Sequence, residues 1–302
     1  MSSDRVEMVL LNPYLHFSDV TKEYSTPKGS VAVVEGFDFR VACGEFISII
    51  GHSGCGKSTV LMIAAGLNQA SRGGVILENK LIDEPGTDRG VVFQNPSLFP
   101  WMTTLENVLL GVRQVRPKDS KEQCVQIAQH YLATVGLGDC LDQRASELSI
   151  GMKQRVSIAR AFALKPKLLL LDEPFGMLDS LTRAELQDVL LEIWYAEKIT
   201  AVMVTHDVDE ALYLSDRIVM MTSGPHAKVG DVMETGFARP RRKEEVIEHP
   251  EYYLKRGVLI DFLERGHHME KPDALARLAL SGTMTFPKGA TTPQTNHTGG
   301  TS

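Results

Sequence analysis

Apolar positions change their period several times along the chain. Between residues 15 and 41 they tend to alternate, most clearly at Phe37, Phe39 and Val41, as antiparallel strands with one covered face require. Residues 46–50, Phe46 and three Ile around Ser48, read as a buried strand. A glycine-rich stretch follows, and residues 57–67 have helical composition, so a strand, loop and helix unit is predicted there. Further buried strands are predicted at 91–93, 168–171, 201–204 and 218–221. Strands separated by helical segments imply an α/β fold with a mostly parallel sheet, preceded by an N-terminal antiparallel β subdomain. Residues 97–165 differ: Cys124, Ile127, Ala128, Tyr131, Leu132 and Val135 fall on one helical stripe. That region is predicted to be an inserted helical subdomain.

Two further boundaries follow from composition. Around Pro240 a basic run (Arg239, Arg241, Arg242, Lys243) meets Glu244 and Glu245, and a helix is predicted over 251–265. The chain therefore divides into a main domain at 15–240, an accessory helical segment at 241–282 and a tail at 283–302. The tail is rich in Thr, Gly, Pro and Asn and too poor in apolar residues to offset its ordering entropy, so it is expected to be disordered. The basic run is expected to be a solvated charged face rather than a lipid contact.

Charge narrows the functional classes. The 302 residues carry 32 Lys+Arg against 38 Asp+Glu, a net charge of −6, which disfavours a partner bound through its phosphate backbone. Nucleic acid is not expected as a ligand. No apolar stretch approaches the ~20 residues of a membrane-spanning helix, and residues 1–11 lack the apolar core of a secretory signal. The four cysteines form no C-x-x-C pair and are expected to be reduced thiols.

The chemistry concentrates in two places. Gly51-His52-Ser53-Gly54-Cys55-Gly56-Lys57-Ser58 fits G-x-x-x-x-G-K-[ST] and lies between a predicted strand and a predicted helix, as a phosphate loop must. An ordinary glycine-rich turn is disfavoured by that context. Backbone N–H groups of residues 51–59, Thr59 included, would close around phosphate oxygens at a helix N-terminus. Lys57 would reach the β- and γ-phosphates, and the Ser58 hydroxyl would ligate Mg²⁺. Cys55 sits inside this loop beside the helix N-terminus, so its thiol is expected to be acidified and open to alkylation that blocks ATP. The second place is Asp172-Glu173, delivered by the apolar run at 168–171 to the end of a strand, where ligands of open α/β sheets bind. Asp172 suits a hold on Mg²⁺, and Glu173 suits polarising an attacking water.

With these in place the chain resembles the ATP-binding subunits of ABC transporters, over roughly residues 15–233. Leu148-Ser149-Ile150-Gly151-Met152-Lys153-Gln154 is similar to that family's signature sequence; it follows the helical insert and puts Ser149 23 residues before Asp172. The resemblance implies a P-loop NTPase of the ABC ATPase type. It also implies that Ser149 and Gly151 cover the ATP of a second chain, in a head-to-tail dimer of this protein with itself or a homologous chain. Gln94 matches the glutamine that contacts metal and attacking water, Leu178-Asp179 the loop that crosses to the other subunit, and His206 the switch histidine at the γ-phosphate. Tyr24 matches the aromatic that stacks on adenine, with Phe17 as a rival. Ile150 departs from the Gly usual at its position and puts a close phosphate approach there in doubt.

The same resemblance implies separate transmembrane permease subunits, a solute-binding protein acting indirectly, and a peripheral place on the cytoplasmic side of the inner membrane. Residues 88–95 with Phe99-Pro100-Trp101 look like the subgroup serving nitrate, cyanate, bicarbonate, taurine and sulfonates. Residues 206–211 and 214–225 lean towards nitrate and nitrite, with taurine or sulfonate next. A cytosolic ABC ATPase without a transporter is the alternative class, against which stand the single cassette and the acidic balance. A GTPase switch is disfavoured because no N-K-x-D motif is present.

Overall fold

The computed structural model describes residues 13–27 and 29–265. The tail at 283–302 and the end of the accessory segment lie outside the described residues. An antiparallel sheet in the order β2-β1-β4-β5 is built from β1 (Leu15–Thr26), β2 (Gly29–Val41), β4 (Arg72–Leu77) and β5 (Lys80–Ile82). A second sheet runs β10-β9-β3-β8-β7-β6, from β3 (Phe46–Ile50), β6 (Arg89–Val92), β7 (Leu168–Asp172), β8 (Thr200–Val204), β9 (Arg217–Met221) and β10 (Val229–Glu234). Its pairs are parallel except β10 with β9. The mostly parallel sheet, the antiparallel subdomain and the helical insert are thus all present.

Strand residues of the second sheet alternate between two cores. Leu168, Leu170, Val202 and Val204 pack with β1, β2 and the first helix, while Leu169, Leu171, Ala201 and Met203 pack under the helical side. Both faces are covered, which is why these strands read as unbroken apolar runs. β4 and β5 are shorter and polar at their ends, and they turn through Glu78 and Asn79, both at positive φ (47° and 63°), as a two-residue hairpin requires. No apolar period marks them, nor β10, in the sequence.

Helices are numbered α1 (Lys57–Ala64), α2 (Thr104–Val115), α3 (Lys121–Thr134), α4 (Ile150–Ala163), α5 (Ser180–Glu197), α6 (Val208–Leu214), α7 (Lys243–Glu248) and α8 (Tyr252–Arg265). The stripe on α3 is buried at Cys124, Ala128, Tyr131 and Leu132, with Val135 just beyond its end. Capping boxes at Thr103 with Glu106 and Ser120 with Gln123 start α2 and α3 by satisfying amides that the helix cannot.

The basic run corrects an expectation. It is not solvated throughout: Arg242 is exposed, but the Arg241 side chain is 1% exposed and donates to the carbonyls of Tyr213 (3.0 Å), Ser215 (2.6 Å) and Phe237 (3.1 Å). Arg239 stacks on Trp194 with its guanidinium 4.3 Å from the ring centroid and meets Asp216 at 2.6 Å. Burial is tolerated because the guanidinium N–H groups find acceptors, which a linear charge pattern cannot reveal.

Candidate active site

β3 enters the phosphate loop, where two glycines leave no room for a side chain. A Cβ on Gly51 would lie 2.9 Å from the Met221 carbonyl oxygen, and one on Gly56 (φ 101°) would lie 2.6 Å from Val34 Cγ2. Gly56 is also the N-cap of α1 and offers no side chain to bond the helix's first amides. At Thr103, Ser120, Ser149, Asp179 and Asp207, by contrast, a side chain accepts from the first turn of the helix that follows. The uncapped start of α1 leaves N–H donors and a positive helix end for an anion.

Lys57 is buried, with Nζ donating to the carbonyls of Gly51 and His52 at 2.9 Å each. The Ser58 hydroxyl donates to Asp172 Oδ1 at 2.8 Å, joining the start of α1 to the end of β7. Burial raises the Asp172 carboxyl above its ordinary range; the Ser58 hydrogen bond opposes this, Glu173 adds to it and Lys57 opposes it. Glu173 follows at φ 45°, a conformation that L-residues adopt at a cost of order 1 kcal/mol. Its Oε2 accepts from Gln94 Nε2 at 3.2 Å and lies 3.2 Å from His206 Nδ1. Three loops, after β6, β7 and β8, thus converge on one carboxylate.

Ser149 and Gly151 stand apart, with no hydrogen bond to that cluster among the described residues. Ser149 N-caps α4 by accepting from Met152 N at 3.2 Å. A Cβ on Gly151 would come 2.8 Å from Thr182 Cγ2, so the starts of α4 and α5 lie against each other. Asp179 caps α5, accepting from the amides of Leu181 and Thr182 at 3.1 Å each. Ile150 is exposed at the first position of α4. Tyr24 is exposed on β1, its hydroxyl accepting from Asn68 Nδ2 at 3.0 Å and Lys22 Nζ lying 5.1 Å from its ring centroid. Phe17 is fully buried against Phe37, which removes it as a stacking surface.

Cys55 corrects a second expectation. It is buried, and desolvation pushes its thiol up; the Lys57 charge and nearby backbone amides only partly counteract this. Proximity to a helix end is outweighed because the sulfur packs beneath the loop, within 2.9 Å of where a Gly51 Cβ would be.

Other residues here left no sequence signal. Arg183 links the loop before α5 to the loop before α6, donating to the Leu178 carbonyl and to Asp207 Oδ2 at 3.2 Å each. Asn107 is buried and bonds the turn at 99–103, holding Phe99 and Trp101 outward, Trp101 at 68% exposure. Gln154 is a partial exception: a polar residue on the apolar face of α4, it donates to the Phe93 carbonyl just before Gln94.

Comparison with known proteins places this geometry. Residues 34–176 match the family model described as ABC transporter. The bicarbonate transport ATP-binding protein CmpD of Synechococcus elongatus is 50% identical over 252 residues, covering 83% of this chain and 91% of that protein. The nitrate import ATP-binding protein NrtD of the same organism is 50% identical over 252 residues, covering 83% and 92%. The ATP-binding cassette MJ0796, solved as a dimer in a post-hydrolysis state bound to ADP and Pi, superposes with a TM-score of 0.66 at 31% identity, over 74% of this chain and all of that one.

Proposed function

Since the chain belongs to the ABC transporter family, as an ATPase subunit that powers import, we propose that it drives uptake of a small oxyanion, nitrate or nitrite, by ATP-dependent closure of a dimer. The observation that carries the chemistry is the convergence of Gln94 and His206 on Glu173 beside the Ser58–Asp172 pair. Lys57 would exchange its two carbonyl acceptors for β- and γ-phosphate oxygens, with the amides of Gly51, Ser53, Gly54, Cys55, Gly56 and Thr59 around them. Glu173 would accept the proton of the attacking water, His206 would donate to the γ-phosphate, and Tyr24 would face the adenine.

The donors present suit Mg²⁺: the hydroxyl of Ser58, the carboxylate of Asp172 and the carboxamide of Gln94 are hard oxygens, too few for an all-protein cage. When bound, the ion would neutralise phosphate charge. Ser149, Gly151 and Asp179 would serve the ATP of the opposite chain. Phe99 and Trp101 give an aromatic surface on the helical insert for a permease subunit, with a solute-binding protein acting further upstream. No helix among the described residues is long and apolar enough to cross a membrane. The chain would attach peripherally, through the permease, to the cytoplasmic side of the inner membrane, a reading supported by the likeness to import ATP-binding proteins.

Bicarbonate is the second reading of the substrate, supported by the likeness to CmpD. Co-expression with the permease and solute-binding protein, followed by uptake of labelled nitrate and labelled bicarbonate, separates them. Nitrate uptake abolished by Glu173→Gln supports the first; uptake of bicarbonate alone overturns it.

A further inference from the structure

The loop that presents His206 runs straight into α6, and α6 has only seven residues. So short a helix cannot hold itself in place, and its position is set by what grips it. Its N-cap Asp207 accepts from the amides of Asp209 (2.9 Å) and Glu210 (3.1 Å). In that first turn Asp209 Oδ1 also accepts from Tyr252 Oη at 2.8 Å and Arg256 Nε at 2.7 Å, both on α8. At the other end, the carbonyls left over at Tyr213, Leu214 and Ser215 accept from Arg241 and Arg239. The side-chain donors to Asp209 and to these three carbonyls all come from residues 239–256, while Asp207 also accepts from Arg183 of α5.

The accessory segment therefore grips both ends of the helix that carries the His206 loop. His206 itself is 64% exposed and meets Glu173 at 3.2 Å. Its side chain is held at one point, the contact with Glu173, and its backbone is continuous with a braced helix. We infer that the C-terminal segment is a brace that sets the position of His206 through α6, with Tyr252 and Arg256 as positioning residues. This rests on the proposal that His206 meets the γ-phosphate. Small displacements of such a group weaken the hydrolytic step far more than nucleotide binding.

The test uses the full-length chain with Tyr252→Phe, Arg256→Gln and the double variant, each of which keeps the apolar packing of α8. Steady-state ATP hydrolysis, ATP affinity and thermal midpoint are measured for each, with Arg256→Lys as the charge-retaining control. The double variant is expected to lose about tenfold in kcat, the scale of weakening one charged hydrogen bond from His206 to the γ-phosphate, with KM for ATP unchanged. Arg256→Lys is expected to recover part of the loss. An unchanged kcat overturns the brace, as does a loss of kcat, ATP affinity and thermal midpoint together. His206→Ala is run alongside: if it hydrolyses ATP normally, the role given to His206 fails, whereas a dead His206→Ala beside an active double variant sinks the brace alone.

Discussion

The phosphate-loop end and the signature end of this chain are built on opposite plans. At the first, the side chains that would act on ATP already bond one another: Ser58 with Asp172, Gln94 and His206 with Glu173, Lys57 with its own loop. At the second, Ser149 and Asp179 do no more than cap their helices, and apolar groups stand out around them, with Met177 at 51% and Leu181 at 77% exposure. A pre-organised cluster can perform chemistry without moving. An outward apolar rim around two helix starts suits contact with another molecule. The contrast fits the proposed division of labour, in which one end holds the reaction and the other is completed against a partner.

The comparison can be pressed from either side. Glu173→Gln keeps the size and the Gln94 contact but removes the base, so hydrolysis should fall about a thousandfold while ATP binding persists; turnover within tenfold of wild type would strip Glu173 of its role. Ser149→Arg leaves the catalytic cluster untouched and blocks the proposed cover, so hydrolysis should fall about a hundredfold with single-chain ATP affinity intact. A variant that stayed fully active would show that the signature end is not part of the site.

Smaller effects probe how closed the first end is. Cys55 is buried and its thiol is raised, so alkylation should be at least about tenfold slower there than at exposed Cys43, as peptide mapping after timed N-ethylmaleimide treatment would show. Equal rates would mean that the loop opens readily. Smallest is a pH effect on stability. Glu210 is buried beside the His206 loop and bonded to Thr205 at 2.7 Å; desolvation, reinforced by the Asp207 charge, pushes its carboxyl up from 4.5 to about 7, against the Thr205 bond and Arg183. Its contribution to stability is therefore full below about 4.5 and lost as pH rises through about 7. Glu210→Gln should flatten that dependence and raise stability at pH 8 by on the order of 1 kcal/mol in urea titrations. A slope unchanged between pH 5 and 8 would remove Glu210 as its source.

Much of this was legible in residue order because the phosphate loop and the strand-end carboxylates are local: Gly51 to Ser58 are contiguous, and Asp172 follows its own apolar strand. The five parallel strands were legible too, since burial on both faces leaves an unbroken apolar run. What stayed hidden depends on distant partners. β4, β5 and β10 are held by pairing rather than by period. Arg241 is concealed by carbonyls from α6 and from Phe237, and Asn107 by a turn it folds around itself. Cys55 misled because a helix end is visible in sequence, whereas the packing of Met221 beneath the loop is not.

The most direct probe of the proposed shared pocket mixes two inactive chains. Lys57→Ala lacks the phosphate grip and Ser149→Arg lacks the cover, so homodimers of either should be silent. Mixed head-to-tail dimers would pair the intact loop of one chain with the intact signature of the other, and an equimolar mixture should regain about a quarter of the wild-type ATPase rate. A mixture as silent as its parts would mean that no pocket is shared between chains.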